Sequence, residues 1–349
     1  MHCCSIIFVA MKVLIYGAGA VGLGVASCLL KSQEDVCLVA RSDTVAALRK
    51  SGLVRTGIFG RFRARPETFC AYESLNEIEN RNFDFILVCT KSFDSAAAAE
   101  DLLRHPELFS DPAPILARKE PSNSETAAFQ NRCGTKIVLC QNGWGNAEKF
   151  MAHFPKEQVY SARVITGFSR HRPNEVEVTV HADAIHIGSL FGCDLATVKP
   201  LANVITEGGI PSATVPDIEK DLWAKMLYNC ALNPLGAILD VPYGALAQNR
   251  WSRALMNHII EEVFAVMTAA GFQTHWQSAD GFLKVFYDRL VPDTAGHKSS
   301  TLQDIAAGRK TEIDALTGAV IKLADQHHVP IPHNHTVYNL ICFIESQNV

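Results

Sequence analysis

The chain has 349 residues, 48% of them hydrophobic and 19% charged, with a formal net charge of −4. That length calls for two domains, and the composition is that of an ordinary globular protein with enough apolar material for sizeable cores. The slight acidity removes the electrostatic case for nucleic acid or an anionic membrane, and the eleven cysteines, scattered without a CxxC pair, fit free thiols of a cytoplasmic protein better than a disulfide framework.

MHCCSIIFVA precedes a second methionine, Met11, from which the first strand starts naturally. There is no basic n-region and Lys12 interrupts the apolar run, so the extension reads as dispensable and not as a signal peptide. No run of about 18 apolar residues follows, so no membrane span is expected. Val13-Leu-Ile-Tyr16 then enters Gly17-Ala-Gly19-Ala20-Val21-Gly22, and an Ala-rich apolar helix continues from it. In this strand–turn–helix setting Gly17 permits the tight turn, Gly19 lets a pyrophosphate approach the backbone, and Gly22 lets helix and strand pack closely. The helix start offers free N–H groups and a positive dipole end to the phosphates, with Ala20 and Val21 at that end.

Asp35 to Ala40 reads as the second strand, with Arg41 at its C-terminal end. An NAD-binding fold usually has an acid there for the ribose 2′-hydroxyl, whereas an arginine suits a 2′-phosphate; Arg41 therefore points to NADPH, against the bland reading of a surface arginine beside Asp43. Residues 44–51 look helical, and Leu53 to Tyr72 alternates around Gly57 and Gly60 like a hairpin. Phe83 to Thr90 is a buried strand ending in Lys91, which the crevice of a parallel sheet would bring to the cofactor. After an Ala-rich helix over 94–104, the segment 105–135 with Pro106, Pro112, Pro114 and Pro121 reads as a surface insertion. Lys136 to Cys140 resumes the sheet, and Gln141-Asn142-Gly143 turns beside the crevice. Strands over Tyr160–Ile165 and Glu175–Ile187, a helix over Leu195–Gly208 and a short strand over Ser212–Val215 follow.

From Pro216 the pattern is helical: Ile218–Ala231, Arg250–Ala270, Gly281–Tyr287, Gln303–Ala307, Ile313–His327 and Asn334–Ser346. The expected architecture is an α/β, Rossmann-type dinucleotide-binding domain over 11–215 followed by an all-helical domain over 216–349. At its entry Lys225, Asn229 and Asn233 recur every fourth residue, within an arc of about 80° on a helix. Pro234 is expected to end or kink that helix. From spacing alone, a row facing a ligand cleft and a solvated or helix-pairing face stand level. Lys298 to Asp314 offers serines that are natural N-caps and charges that are natural surface. The histidines of His327-His328-Val-Pro-Ile-Pro-His333-Asn-His335 are interrupted by two prolines and read as loop residues, not metal ligands.

Taken in order, GAGAVG, Lys91 after its strand, QNG at 141–143, KxxxNxxxNPL at 225–235 and SSTLQD…RxTEID at 299–314 resemble the 2-dehydropantoate 2-reductase (ketopantoate reductase) family, from about Met11 almost to the C-terminus. The KxxxN element is also similar to the wider 6-phosphogluconate and β-hydroxyacid dehydrogenase group. The resemblance implies NADPH-dependent reduction of ketopantoate to (R)-pantoate, a step towards pantothenate and coenzyme A. It implies Lys225 as the acid, Glu312 as a catalytic or substrate-binding carboxylate, and Asn142, Asn229 and Ser300 as substrate or cofactor contacts, with Asn233 in the same row. Two departures bear on the substrate more than on the chemistry: Tyr243 stands where such enzymes often carry an asparagine, and the 105–135 segment is longer than usual. A reductase of another 2-keto acid and a non-catalytic NADPH-binding sensor are the alternatives. A small-molecule 2-keto acid is the expected partner, no metal is called for, and the sequence leaves a homodimer open.

Overall fold

The computed structural model describes residues 10–79, 81–110 and 134–347. The extension before Ala10 and most of the 105–135 insertion lie outside the described residues. Lys12–Tyr16 (β1) carries Val13, Leu14 and Ile15 fully buried, the unbroken apolar run of a strand covered on both faces. It enters helix Ala20–Lys31 (α1), then Asp35–Val39 (β2) and Ser42–Ser51 (α2). Leu53–Gly57 (β3), Phe62–Ala64 (β4), Cys70–Tyr72 (β5), Phe85–Val88 (β6) and Ser95–Leu103 (α3) follow. Beyond the insertion come Lys136–Leu139 (β7), Asn146–Met151 (α4), Val159–Arg163 (β8), Thr166–Arg172 (β9), Glu175–His181 (β10), Ile185–Gly188 (β11), Lys199–Glu207 (α5) and Ser212–Thr214 (β12).

These strands form an eight-stranded sheet in the order β12-β11-β8-β7-β6-β1-β2-β5. It is parallel except where β11 meets β8. β2 leaves β1 on one side and β6 pairs with it on the other, so β1 marks the switch point where such sheets open a crevice. A second, four-stranded sheet, β4-β3-β10-β9, covers α1. The contact is close: a Cβ on Gly24 would lie 2.3 Å from the ring of Phe168 on β9.

Two expectations need correction here. The stretch 53–72 is not one hairpin: β3 and β4 pair antiparallel, but β5 crosses to the large sheet and pairs parallel with β2. And β9 was not foreseen, because Thr-Gly-Phe-Ser-Arg-His-Arg at a sheet edge has no buried alternation to betray it.

The remainder is helical. Ile218–Ile238 (α6) runs for 21 residues, followed by Tyr243–Gln248 (α7), Arg250–Ala269 (α8) and Ala279–Val285 (α9). Ser300–Ala306 (α10), Thr317–His327 (α11) and Pro332–Ser346 (α12) complete it. Trp223, Met226, Leu227, Cys230 and Ala231 of α6 form the spine of a separate apolar core with Ile259, Ile260 and Val263 of α8. Of the end or kink expected at Pro234, the end does not occur; the helix continues to Ile238. Tertiary bonds hold the residue before the proline in place. The Asn233 side chain accepts the Tyr243 hydroxyl at 2.6 Å, and its carbonyl accepts the Ser299 hydroxyl at 3.2 Å. Among the described residues no helix is long and apolar enough to cross a membrane.

Candidate active site

At the turn after β1 the three glycines stand in different surroundings. Gly17 has φ +99°, a conformation that favours glycine, and a Cβ there would lie 2.7 Å from the Thr90 amide. A Cβ on Gly22 would lie 2.5 Å from the Gly17 carbonyl, whereas one on Gly19 meets nothing within 4 Å. Gly19 is the N-cap of α1 and supplies no capping side chain. The first N–H groups of the helix, on Ala20, Val21 and Gly22, therefore face an open approach, a cradle that fits a pyrophosphate.

The end of β2 leads to Arg41, the exposed N-cap residue of α2, which has no ion-pair partner among the described residues. Asp43 is already engaged: it accepts the Thr44 amide at 2.7 Å and faces the Arg170 guanidinium at 3.6 Å. Arg170, on β9, also donates to the Thr44 hydroxyl at 2.9 Å. Burial lowers its pKa, and the like charges of Arg41 and Arg309 add to this against the pull of Asp43. The nearby acid is thus neutralised from the second sheet, and no described residue pairs with Arg41.

A continuous polar network begins at the C-terminal end of β6. The Lys91 ammonium lies 2.6 Å from Asp304 and 3.4 Å from Glu312. Burial works against its charge, but these two carboxylates prevail and raise its pKa. Glu312 is 5% exposed. One of its oxygens accepts the Ser92 amide at 3.0 Å and the other accepts the Asn142 side-chain amide at 3.1 Å. The Asn142 side-chain oxygen in turn accepts Lys225 Nζ at 2.6 Å, and Lys225 donates also to the Val164 carbonyl at 2.5 Å. Protein closes around the ammonium although the side chain as a whole is only half-buried. Burial, with Arg163 adding to it and Glu312 opposing, brings its pKa down to about 8.

The QNG turn that carries Asn142 is anchored on both sides. Gln141 donates to the Thr90 hydroxyl at 3.0 Å. Gly143, at φ +86°, lets the chain pass so close to the Ala315 carbonyl that a Cβ would lie 2.3 Å from it. Trp144 then donates its amide to that same carbonyl at 2.9 Å. The turn from the sheet and the turn after Glu312 are fastened to each other, which fixes the Asn142–Glu312 contact.

The other expected site residues divide in two. Asn229, one turn beyond Lys225, is buried at 7% exposure and its side chain makes no hydrogen bond among the described residues. Ser300 is likewise unpaired at the start of α10, where its neighbour Ser299 is the cap, accepting the Leu302 amide at 3.0 Å. Asn233 and Tyr243 instead satisfy one another through the 2.6 Å bond above, and Tyr243 is buried, which pushes its phenol pKa far up. The Tyr243 ring lies 5.3 Å from that of His297. His297 lines a cleft of about 420 Å³ together with Phe168, Thr179, Val180, Lys298 and Gln303. Among the described residues no group of three or more His, Cys, Asp or Glu side chains is placed to hold a metal. His333 and His335 fall within α12, not in a loop, and His333 bonds Glu262 at 2.6 Å.

The family model described as ketopantoate reductase PanE/ApbA matches residues 13–108 and 115–192, and that of its C-terminal part matches residues 217–345. The chain belongs to the ketopantoate reductase family. Its members are oxidoreductases, and the glycine turn described above lies within the residues that the first of these models matches. The 2-dehydropantoate 2-reductase of Aquifex aeolicus is 34% identical over 332 residues, covering 95% of this chain and 96% of that protein. The enzyme of the same name from Salmonella typhimurium is 29% identical, covering 97% of this chain and 96% of its own length. Among solved structures, a PanE/ApbA family ketopantoate reductase from Ralstonia eutropha is 26% identical with a TM-score of 0.76, covering 97% of this chain and 99% of its own. A D-mandelate dehydrogenase with NADH and anilino(oxo)acetate shares the fold at 22% identity and a TM-score of 0.79, with the same coverage. Arg163, Arg170 and Asp221 carry no signal of their own in the sequence. Each acts through space on a residue far along the chain, and none belongs to a local motif.

Proposed function

We propose that this protein reduces ketopantoate (2-dehydropantoate) to (R)-pantoate with NADPH, using an N-terminal dinucleotide domain over 11–215 and a helical substrate domain over 216–349. The observation that carries the reading is the Lys225 ammonium held between the Asn142 side chain and the Val164 carbonyl, one residue away from a buried carboxylate at Glu312. The bound dinucleotide would supply a hydride to the keto carbon, with its pyrophosphate over Gly19 and its 2′-phosphate against Arg41. Hydride arrival leaves an alkoxide, which needs a donor at its oxygen. Lys225, with a pKa of about 8, holds a proton at neutral pH and gives it up readily. Glu312 fixes Asn142, and Asn142 aims the amine. Asn229 and Ser300, whose side chains make no hydrogen bond among the described residues, are the donors offered to the substrate's carboxylate and hydroxyl.

A second reading, a bulkier 2-keto acid, draws support from Tyr243 and the cleft beside His297. Fold alone leaves the keto acid open. The test is NADPH oxidation with ketopantoate against a panel of branched and aromatic 2-keto acids. The highest kcat/KM on ketopantoate supports the first reading, and a preference for a bulkier acid supports the second. NADPH binding without turnover of any of them would leave a sensor. In Lys225→Met, kcat falls by about 10²–10⁴, the range for a lost general acid, and most of the stem's packing is kept. Near-normal kcat in that variant overturns the role of Lys225.

A further inference from the structure

One turn before Lys225 on α6, Asp221 is buried at 7% exposure and gathers side chains from three other segments. His186 Nδ1, on β11, lies 2.7 Å from one carboxylate oxygen, and His275 Nε2, in the segment after α8, lies 2.7 Å from the other. Arg163, the last residue of β8, has its Nε 3.9 Å from the first oxygen. Its guanidinium also donates to Asp183 at 2.8 Å and sits 2.6 Å from the same His186 nitrogen. That nitrogen can donate to Asp221 or accept from Arg163, but not both at once. The residue following Arg163 is Val164, whose carbonyl accepts Lys225. The strand end that carries the acceptor and the helix that carries the amine are therefore tied together one turn from the reacting group.

We propose that Asp221 is a positioning residue for Lys225: it fastens the end of β8 to α6 and neutralises Arg163, so that the amine keeps its place and its proton. The inference rests on Lys225 being the acid. The charged and titratable groups that bear on Lys225 are Glu312 and Cys140, which favour its charged form, and Arg163, which opposes it. Arg163 is in turn surrounded by Asp221, Asp183 and His186, with His275 on the far side of Asp221. A buried guanidinium that loses one of its two counter-charges, leaving only the half-exposed Asp183, is less well neutralised and repels a neighbouring ammonium more strongly. Asp221 thus acts on Lys225 through Arg163 and through the backbone of Val164, with no contact to the amine itself.

The experiment is the pH profile of kcat in Asp221→Asn, which keeps the shape and removes the charge. The alkaline limb that titration of Lys225 imposes on kcat moves to lower pH by roughly half a unit to one unit. Above the transition kcat therefore drops by about 3- to 10-fold, while the acid-side plateau, the KM for the keto acid and the NADPH affinity measured by fluorescence stay near wild type. Asp221→Glu, which returns the charge, moves the limb back. Should Asp221→Asn not fold, Asp183→Asn removes the other counter-charge of Arg163 from a half-exposed position and shifts the limb in the same direction. A limb that stays in place, with kcat lowered equally at every pH or unchanged, overturns the proposal. An alkaline limb that persists in Lys225→Met shows instead that the assignment of the acid has failed.

Discussion

An amine that must deliver a proton works best when it holds that proton only slightly more tightly than the working pH demands. Lys225 meets this condition because burial and Arg163 bring its pKa to about 8. The activity consequence has a definite sign. On the proposed role the competent form is protonated, so kcat/KM is full well below pH 8 and declines as pH rises through it; stopped-flow rates that stay flat through pH 8, or an alkaline limb that persists in Lys225→Met, would give the role to another group. The proposed preference for NADPH is also testable at a single residue. Arg41→Ala should lower kcat/KM with NADPH by about 10- to 100-fold, the worth of a charge-assisted bond to phosphate, and leave NADH nearly unaffected. An unchanged NADPH/NADH ratio removes Arg41 from the 2′-phosphate. Arg41, Lys91 and Lys225 were legible in sequence because each follows a strand end or sits at helical spacing. Arg163, Arg170 and Asp221 were not, because their partners are brought to them only by the folded chain.

At the scale of elements, the glycine turn separates folding from binding. Gly22→Ala pushes a methyl to 2.5 Å from the Gly17 carbonyl, so α1 must shift from β1; a cost of about 1–3 kcal/mol is expected in urea unfolding. Gly19→Ala meets open space, so its stability should stay within about 0.5 kcal/mol of wild type. Its dinucleotide affinity should nonetheless fall by about 10- to 100-fold, because the methyl occupies the approach of the pyrophosphate. Equal dinucleotide affinity in Gly19→Ala and wild type would place the pyrophosphate elsewhere. The elements themselves were readable wherever burial imposes a pattern, as in the unbroken apolar runs of β1, β6 and β7. Legibility failed where local preference and tertiary context disagree. Pro234 argues for a helix end, yet the bonds from Tyr243 and Ser299 to Asn233 carry α6 past it. β9 has a glycine, two arginines and a histidine at a sheet edge, and only its pairing with β10 makes it a strand.

The whole molecule carries a stability cost for burying the Lys225 ammonium. Its folded-state pKa, about 8, lies below the ordinary 10.5. Between those values the unfolded chain holds a proton that the folded protein has released. Stability contributed through this group therefore rises with pH across that window; below pH 8 the full penalty of the charged, buried amine applies. Its size is about 2 kcal/mol once solvent screening at a half-buried side chain is allowed for. Lys225→Met removes the titration altogether. The methionine also leaves the Val164 carbonyl and the Asn142 side-chain oxygen without their donor, a loss that does not vary over this range. The informative quantity is thus the difference between the two proteins as pH changes. Wild type should gain about 2 kcal/mol relative to Lys225→Met between pH 8 and pH 10.5, read from paired urea unfolding curves. A difference that stays constant over that interval would mean that the amine titrates in the folded protein as it does in the unfolded chain, and that the site does not tune it.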